Sequence, residues 1–581
     1  MLIFYDFEVF KHDWLVVLIQ LTSDGITETV IINDKEALEA YHAEHKGDIW
    51  VGWNSRTYDQ YILKAILCEF NPKEVNDFII AEGQQGWAFS TLLRKIPLNN
   101  YDAKNGIDHG LKVYEGYMGH NIKECSVPFD IDRPLTQQEL EETVGYCRYD
   151  VEQTMEIFLQ RLDDFHAHRG LVEIASDSPD KLKLSLISKT KPQLSAQILG
   201  AEKRSYRDEF DIDLPSTLQV DKYTDIPAWY MNPDNQKYKV DPDNEKSKNH
   251  KLDIIVAGSP HVFGWGGLHG AREKYHGEGY YLNIDVASYY PTLMIHYGLI
   301  SRSVKNPAKF EEIYHQRLKF KKEKNPLQLP LKLVLNSTYG AMKDKSNPLY
   351  DPLQANKVCV YGQLLLLDLI ERLEAHCELI QSNTDGILIK LRQPGDYELI
   401  DDLCYEWEQR TGMVLEFEEF TKVFQKDVNN YIIVDAQGQY KSKGGYVKKL
   451  HNLDYDLPII NMALVAYMVH GVPVEKTIGE CQSLKDFQLV SKITSKYTAI
   501  YHGDVELKER CIRLFASTDP ADAGVMKRHR EKGTMARLTN SPDNCFIIND
   551  NINDMTAPSK LDRQFYINMA RKRLQDFGVI L

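Results

Sequence analysis

Ser382 to Lys390 read SNTDGILIK. Asn-x-Asp-Gly is turn chemistry, and the runs ELIQS before it and ILIKL after it have the length and composition of short strands, so the stretch predicts a β-hairpin with Asp385 at its tip. Alone, it is an ordinary turn. It gains meaning from what lies upstream, where YLNIDVASYYP ends an apolar strand on Asp285. A strand-end carboxylate and a hairpin-tip carboxylate can meet on adjacent strands, and a divalent cation is the usual partner of two acids so placed. Between them, KLVLNSTYG sets Lys332, Asn336 and Tyr339 at i, i+4 and i+7, on one helix face. Arg317 and Lys321, four residues apart and just upstream, offer further cations to phosphate oxygens.

The chain has 581 residues and a formal charge of −15, which predicts several structural units and at first argues against a nucleic-acid partner. The charge is unevenly placed. Residues 1–160 carry 27 acidic and 13 basic side chains, whereas residues 302–345 carry 11 basic and 4 acidic ones. A positive patch therefore sits inside an acidic protein, next to the residues that would hold phosphates. No signal peptide or transmembrane run is visible, so a cytoplasmic protein is expected. The nine cysteines form no C-x-x-C pair and no cluster with histidines, which predicts reduced thiols and no zinc site.

A second group of acids lies near the N-terminus. In LIFYDFEVF, Asp6 and Glu8 alternate with Tyr5 and Phe7, so a strand puts both acids on one face; a solvated edge strand is the plain alternative. Asp59 follows the apolar run DIWVGWN, and Tyr146 stands one helical turn before Asp150 in YCRYD, so their side chains address the same point. Four acids and a tyrosine can hold two Mg²⁺ ions and orient a water toward a phosphodiester.

The order D-x-E, N-x-x-x-Y-D, Y-x-x-x-D is similar to the three motifs of proofreading 3′–5′ exonuclease domains, and D-x-x-S-x-Y-P, K-x-x-x-N-S-x-Y-G and the NTDG hairpin resemble, in order, motifs A, B and C of family B DNA polymerases. The resemblance implies metal binding by Asp6, Glu8, Asp59 and Asp150 in one site and by Asp285 and Asp385 in another, with two Mg²⁺ (or Mn²⁺) ions in each. It further implies strand contact by Asn54, water positioning by Tyr146, and a catalytic ammonium at Lys123 of IKECSVPFDIDRP. Tyr290 resembles the steric gate against ribonucleotides, while Arg317, Lys321, Lys332, Asn336 and Tyr339 are implied to bind the nucleotide. In VNNYIIVDAQGQYKSKGGYVKK, Tyr431, Lys443 and Gly444 resemble DNA contacts near the primer end. Two positions depart from the pattern: Asn383 replaces the first acid of the usual D-T-D, and Gly386 stands where serine is usual.

The fold class expected is therefore α/β multidomain, a ribonuclease-H-like exonuclease domain followed by a right-hand polymerase domain with palm, fingers and thumb. Its parts are expected at 1–165 (exonuclease), 166–258 (connecting, polar and irregular), 259–450 (palm, with fingers inserted at about 301–355) and 451–581 (thumb and C-terminal helical region). The gaps from Asp285 to Lys332 and on to Asp385 leave no room for the two insertions of protein-primed phage relatives, and W-G-G near Gly267 only partly resembles their linker. No extra N-terminal domain is expected ahead of the exonuclease strand. The expected protein is a compact phage-type polymerase that takes dNTPs, primer-template DNA and the single-stranded 3′ end. It would replicate a phage-like genome in the host cytoplasm, without a membrane, and a helicase or single-strand-binding protein beside it is not identified by the sequence. The rival readings are an exonuclease whose polymerase half has been silenced at Asn383 and Gly386, and a scaffold without turnover. The NTDG hairpin lacks the paired aspartates that mark a reverse transcriptase hairpin.

Overall fold

This computed structural model describes all residues except 24, 177–181, 237, 240–247 and 581. The chain forms two compact units of mixed α/β structure. The first comprises Met1–Thr190, Leu450–Pro458 and Cys481–Phe565; the second comprises Lys191–Lys449, Ile459–Glu480 and Tyr566–Leu581.

The first unit is built on a five-stranded sheet of β1 (Leu2–Val9), β2 (Trp14–Thr22), β3 (Gly25–Ile32), β4 (Ile49–Gly52) and β5 (Asn100–Asp102), in the order β3-β2-β1-β4-β5. The first three strands form an antiparallel meander, and β4 and β5 add in parallel. The acid-bearing β1 is thus central, and the solvated-edge alternative is excluded. Its aromatic face, with Tyr5 and Phe7, joins Trp50, Ile62 and Leu63 in a core beneath α1 (Lys35–Glu44), α2 (Asp59–Leu67) and α3 (Pro72–Ile80). The acid face looks toward α5 (Gln137–Gln160), a 24-residue helix whose start is fixed by a capping box between Thr136 and Glu139. Between these helices lies α4 (Leu111–Tyr117), every residue of which is buried. After α5 the chain continues in α6 (Leu162–Ala175), so regular structure extends past the expected boundary at 165.

The second unit starts with α7 (Lys191–Ile198) and α8 (Asp225–Met231), followed by a two-stranded ladder of β6 (Tyr238–Lys239) and β7 (Lys248–Asn249). DSPD and much of KYKVDPDNEKSKN, read as irregular, lie outside the described residues. A nine-stranded antiparallel sheet follows. It contains β8 (Lys251–Val256), β9 (Ser259–Gly264), β10 (His269–Ala271), β11 (Tyr275–Val286), β12 (Cys377–Ser382), β13 (Gly386–Leu391), β14 (Leu415–Asp427), β15 (Asn430–Val434) and β16 (Tyr440–Lys443), in the order β16-β15-β14-β11-β13-β12-β10-β9-β8. Strand β8 falls within the stretch expected to be connecting and instead belongs to this sheet; its alternating LDIIV pattern is ordinary strand patterning. Helices α9 (Tyr289–His296), α10 (Ala308–Lys322), α11 (Gln328–Met342), α12 (Pro352–Leu373) and α13 (Tyr397–Thr411) complete the core. Pro330 lies in the first turn of α11, where a missing N–H costs nothing.

The helical C-terminal region expected at 451–581 needs correction. Helices α14 (Pro458–His470), α15 (Val474–Glu480) and α16 (Arg563–Asp576) occur, but between them run β17 (Leu489–Lys492), β18 (Tyr497–His502), β19 (Val505–Leu507), β20 (Cys511–Ala516), β21 (Val525–His529), β22 (Met535–Arg537) and β23 (Cys545–Ile547). These strands are three to six residues long, too short to show a convincing alternation between their polar turns. Their buried anchor is Arg513, 0 % exposed, which donates to the carbonyl oxygens of Gly116, His120, Ile548 and Asp550 at 2.7–3.3 Å and so ties the end of α4 to the segment after β23. All nine cysteines are free. Among the described residues no helix is long and apolar enough to cross a membrane.

Candidate active sites

In the first unit the strand period puts Asp6 and Glu8 on one face of β1, and the 3.6-residue period of α5 turns Tyr146 and Asp150 toward them. Asp59, at the first turn of α2, closes the group: it is 2 % exposed and accepts the Phe7 N–H at 3.3 Å. Burial, then the neighbouring Asp59, Glu8 and Asp150, pushes the Asp6 carboxyl well above its usual range, and Glu8 is raised in the same way by burial and Asp150. Asp59 is pushed up to about 7, chiefly by burial. The Tyr146 hydroxyl lies beside the Asp150 carboxylate, one turn away on α5. Four carboxylates so close repel unless cations join them, and an all-carboxylate donor set with partly open access through Asp6 suits hard divalent ions. The residues present therefore fit Mg²⁺ or Mn²⁺.

The cation that stands against these acids is Lys112 of α4. Its Nζ lies 2.6 Å from Asp150 Oδ1 and 3.1 Å from Glu115 Oε1, and 4.6 Å from the Tyr146 ring centroid. Lys123, expected as a catalytic ammonium, rests with its ammonium 4.6 Å over the Tyr149 ring, and its backbone N–H points to Glu115 Oε2 at 3.4 Å. Lys112 and Glu115 escaped notice because α4 is short, starts on Gly110 without a side-chain cap, and shows no amphipathic period, being buried all round. Asn54 sits in the turn after β4 with φ of 57°, a left-handed conformation that asparagine tolerates, and its backbone bonds Asp102. Replacing Lys112 by Met leaves Asp150 and Glu115 buried without their counter-charge. We expect a stability loss of about 3–5 kcal/mol and a fall of roughly 100-fold or more in single-strand digestion, with Lys112→Arg recovering part of both; thermal melting and digestion rates check this.

In the second unit β11 lies between β13 and β14, with Asp285 directly opposite Gly386 on one side and Glu416 on the other. Asp385 follows at the hairpin tip, where its carbonyl oxygen accepts the Val286 N–H at 2.7 Å. Asn283 Nδ2 donates to Asp285 Oδ2 at 2.6 Å and fixes the carboxylate, which burial and then Asp385 push up to about 6. A cleft of about 500 Å³ opens over this pair, lined by Tyr290, Arg317, Lys321, Lys332 and Asn336. Arg317 Nη1 donates to Ser288 Oγ at 2.7 Å, and Lys321 Nζ stands 3.9 Å from Glu416. Tyr339, expected on the nucleotide, is set behind the cleft: its ring centroid lies 4.5 Å from that of Tyr290, and its hydroxyl meets Cys359 Sγ. Glu416 was not anticipated, although the alternation in LEFEEF carried it. Two adjacent carboxylates among cations, with a free volume between them, fit a cation-bound triphosphate.

The hairpin explains its own departures. A Cβ on Gly386 would stand 2.2 Å from Asp285 Oδ1 and 2.7 Å from the Ile284 carbonyl oxygen, so in this register glycine is demanded by the neighbouring carboxylate. Asn383 closes the tip by donating its N–H to the Gly386 oxygen at 2.8 Å, while its side-chain Oδ1 is buried and has no hydrogen-bond partner among the described residues. Tyr431 is paired with Lys443 across β15 and β16, and Gly444 follows with φ of 92° and no space for a Cβ, which would lie 2.1 Å from the Asn429 oxygen. Gly267, in the W-G-G segment, packs on the same tip, its own Cβ position 2.5 Å from Thr384 Oγ1.

No family model matches the chain, and no curated protein does. Among solved structures it is similar to the family B DNA polymerase from the hyperthermophilic archaeon Pyrobaculum calidifontis, with 15 % identity and a TM-score of 0.43, over 100 % of this chain and 78 % of that one. At that identity the chemistry has to be read from this chain's own residues.

Proposed function

We propose that the chain is a DNA-directed DNA polymerase with a 3′–5′ exonuclease. The observation that carries the reading is the cleft of the second unit, where Asp285 of β11 and Asp385 at the adjoining hairpin tip line one volume that Arg317, Lys321, Lys332 and Asn336 also face. In this reading the nine-stranded sheet is the palm, α10 and α11 the fingers, and the five-stranded sheet with α5 the exonuclease. The short gaps between Asp285, Lys332 and Asp385 favour a compact phage-type enzyme that extends ordinary DNA primers.

Divalent cations held by Asp285 and Asp385 would supply the acidity that makes the primer 3′-hydroxyl a nucleophile and offset charge on the transferring phosphoryl group. Arg317, Lys321 and Lys332 bind the triphosphate and neutralise the charge that grows on it as the α-phosphorus changes partners. Asn283 holds Asp285 in one orientation, and Tyr290, braced by Tyr339, fills the space beside the sugar. In the first unit Tyr146, beside Asp150, orients a water, and Lys112 places positive charge beside the phosphodiester under attack. Tyr431, Lys443 and Gly444 hold the primer strand, and Asn54 contacts the strand entering the nuclease site.

The test is a labelled primer recessed on a longer template, incubated with Mg²⁺ in the presence and absence of deoxynucleotides. Extension with nucleotides and shortening without them is the expected result; shortening under both conditions would support a nuclease with a silenced polymerase half. Tyr290→Ala is expected to admit ribonucleotides, read as a rise of roughly 100-fold in their relative incorporation, the scale of a lost steric discrimination of 2–3 kcal/mol. Unchanged sugar selectivity would reject the gate.

A further inference from the structure

After α3 the first unit carries a surface that the chemistry above does not use. Two 3₁₀ turns follow that helix, Gly86–Ala88 and Thr91–Lys95. Both are pinned from below. Gly86 lies on the Tyr61 ring of α2, where a Cβ would stand 2.4 Å from Cδ2; Phe89 packs edge-on against Phe70 and Phe78, and Leu93 is buried in the core. What these anchors hold outward is apolar and basic. Ile80, Trp87 and Leu92 are 66, 50 and 42 % exposed, and the Arg94 guanidinium stands 5.5 Å from the Trp87 ring centroid.

Charge is the second observation. Acids outnumber bases in residues 1–160, and Lys11, Lys35, Lys73, Lys112, Arg133 and Arg148 each meet a carboxylate there. Arg56, Lys64, Arg94 and Lys95 make no ion pair among the described residues, and Arg56 Nε and Nη2 are buried with no hydrogen-bond partner. These cations gather around one ring. Lys64 Nζ lies 5.7 Å from the Tyr61 centroid, and Arg94 and Arg56 both act on the Tyr61 phenol, offsetting part of the rise that burial gives it. Residues 83–101 contain no acid at all. An acidic domain thus presents unmatched cations beside an exposed indole. The complementary ligand has negative charge and flat apolar faces together, as single-stranded DNA does: phosphates for the cations, unpaired bases for the tryptophan. A duplex keeps its bases within its own stack, and an acidic peptide offers charge without the flat face.

We propose that Trp87, Arg94 and Lys95 form a stacking and phosphate-binding site for single-stranded DNA. A base stacks on the exposed part of the indole, and Arg94 and Lys95, both exposed, take the neighbouring phosphates. Arg56 and Lys64, half-buried around Tyr61, add attraction from behind. No hydrogen bond reads a base, so binding is indifferent to sequence. Tyr61 lies two residues beyond Asp59 on α2, about 3 Å along its axis, so a strand held here runs beside the acid cluster. The effect on digestion rests on the nuclease reading of that cluster, whereas binding itself does not.

The probe is oligothymidylate of about 16 nucleotides, the upper size of such sites, titrated into the full chain with a chelator present while tryptophan emission is recorded. The part of the emission that Trp87→Phe removes is expected to be quenched in the wild type, and Arg94→Ala is expected to move the midpoint of that quenching to a concentration about 10-fold higher, the scale of one lost stacking or cation–π contact. Trp87 emission that stays constant at saturation, or a midpoint unmoved in Arg94→Ala, overturns the proposal. Equal quenching by a blunt duplex or by oligoglutamate overturns the single-strand assignment. In Mg²⁺ the Michaelis constant for digesting the same oligonucleotide is expected to rise about 10-fold in Trp87→Ala and to recover in Trp87→Phe; a loss confined to kcat contradicts a binding role. Quenching of Trp87 in a chain that digests nothing overturns the nuclease reading and leaves the site standing. Digestion without that quenching does the reverse.

Discussion

Asp285→Ala is expected to eliminate primer extension while single-strand digestion continues at the wild-type rate. The magnitude follows from what the carboxylate holds: Lewis-acid stabilisation of a phosphoryl transfer is worth several kcal/mol, and about 4 kcal/mol corresponds to roughly a thousand-fold in rate. Asp385→Ala gives the same phenotype, because both acids address one cleft. Asp6→Ala with Glu8→Ala gives the converse, loss of digestion with synthesis intact, since these two side chains belong to the other unit's acid cluster. All three variants remove buried or partly buried repulsion, so folding is expected to be preserved and melting temperatures serve as the control. Loss of both activities in a well-folded single-site variant contradicts two separate sites.

Gly386→Ala is the second large effect and the less intuitive one. A methyl group is a small change at a hairpin, yet here it would enter the space of Asp285 Oδ1 and of the Ile284 backbone, at 2.2 and 2.7 Å. Relief requires β13 to move from β11 or the Asp285 carboxylate to turn away. Overpacking of this kind costs about 1–3 kcal/mol, and a displacement of about 1 Å in a reacting group costs roughly 100-fold in rate. Synthesis is therefore expected to fall about 100-fold with digestion unchanged, and Gly386→Ser, which restores the residue usual in the family that the motifs resemble, behaves like the alanine variant. Full synthesis by Gly386→Ser would show that the β11–β13 register differs from that described.

These expectations use residues that a reader of the sequence finds and others that only the fold reveals. Asp6, Glu8, Tyr146 and Asp150 were legible because two regular periods, 2 along β1 and 3.6 along α5, carry them to one place. Asp285 and the NTDG hairpin were legible for the same reason, since strand ends and turn residues have local signatures. Lys112 was not, because a seven-residue helix buried on all sides has no period to detect, and the lysine chosen in its place, Lys123, was the one that fitted a motif. Tyr339 fitted the helical face that bears Lys332 and Asn336, but whether a side chain lines a cleft or braces its wall depends on the neighbouring Tyr290, which no spacing encodes. Gly386 shows in the sequence only as a departure from the usual serine and is a requirement of the adjacent strand, a long-range contact of the kind that one strand's sequence cannot disclose. The strands from Leu489 to Ile547 were read as helix because segments this short leave the flanking helical patterns to dominate the impression.

The central claim, template-directed synthesis at the Asp285 and Asp385 cleft, is tested most directly by omitting one deoxynucleotide at a time from an extension reaction with Mg²⁺ and measuring product length to the single nucleotide. The account predicts that each omission halts extension just before the first template base that calls for the missing nucleotide, and that Asp285→Ala yields no extension in any mixture. Extension that ignores which nucleotide is missing, or a primer that only shortens in every mixture, would contradict it.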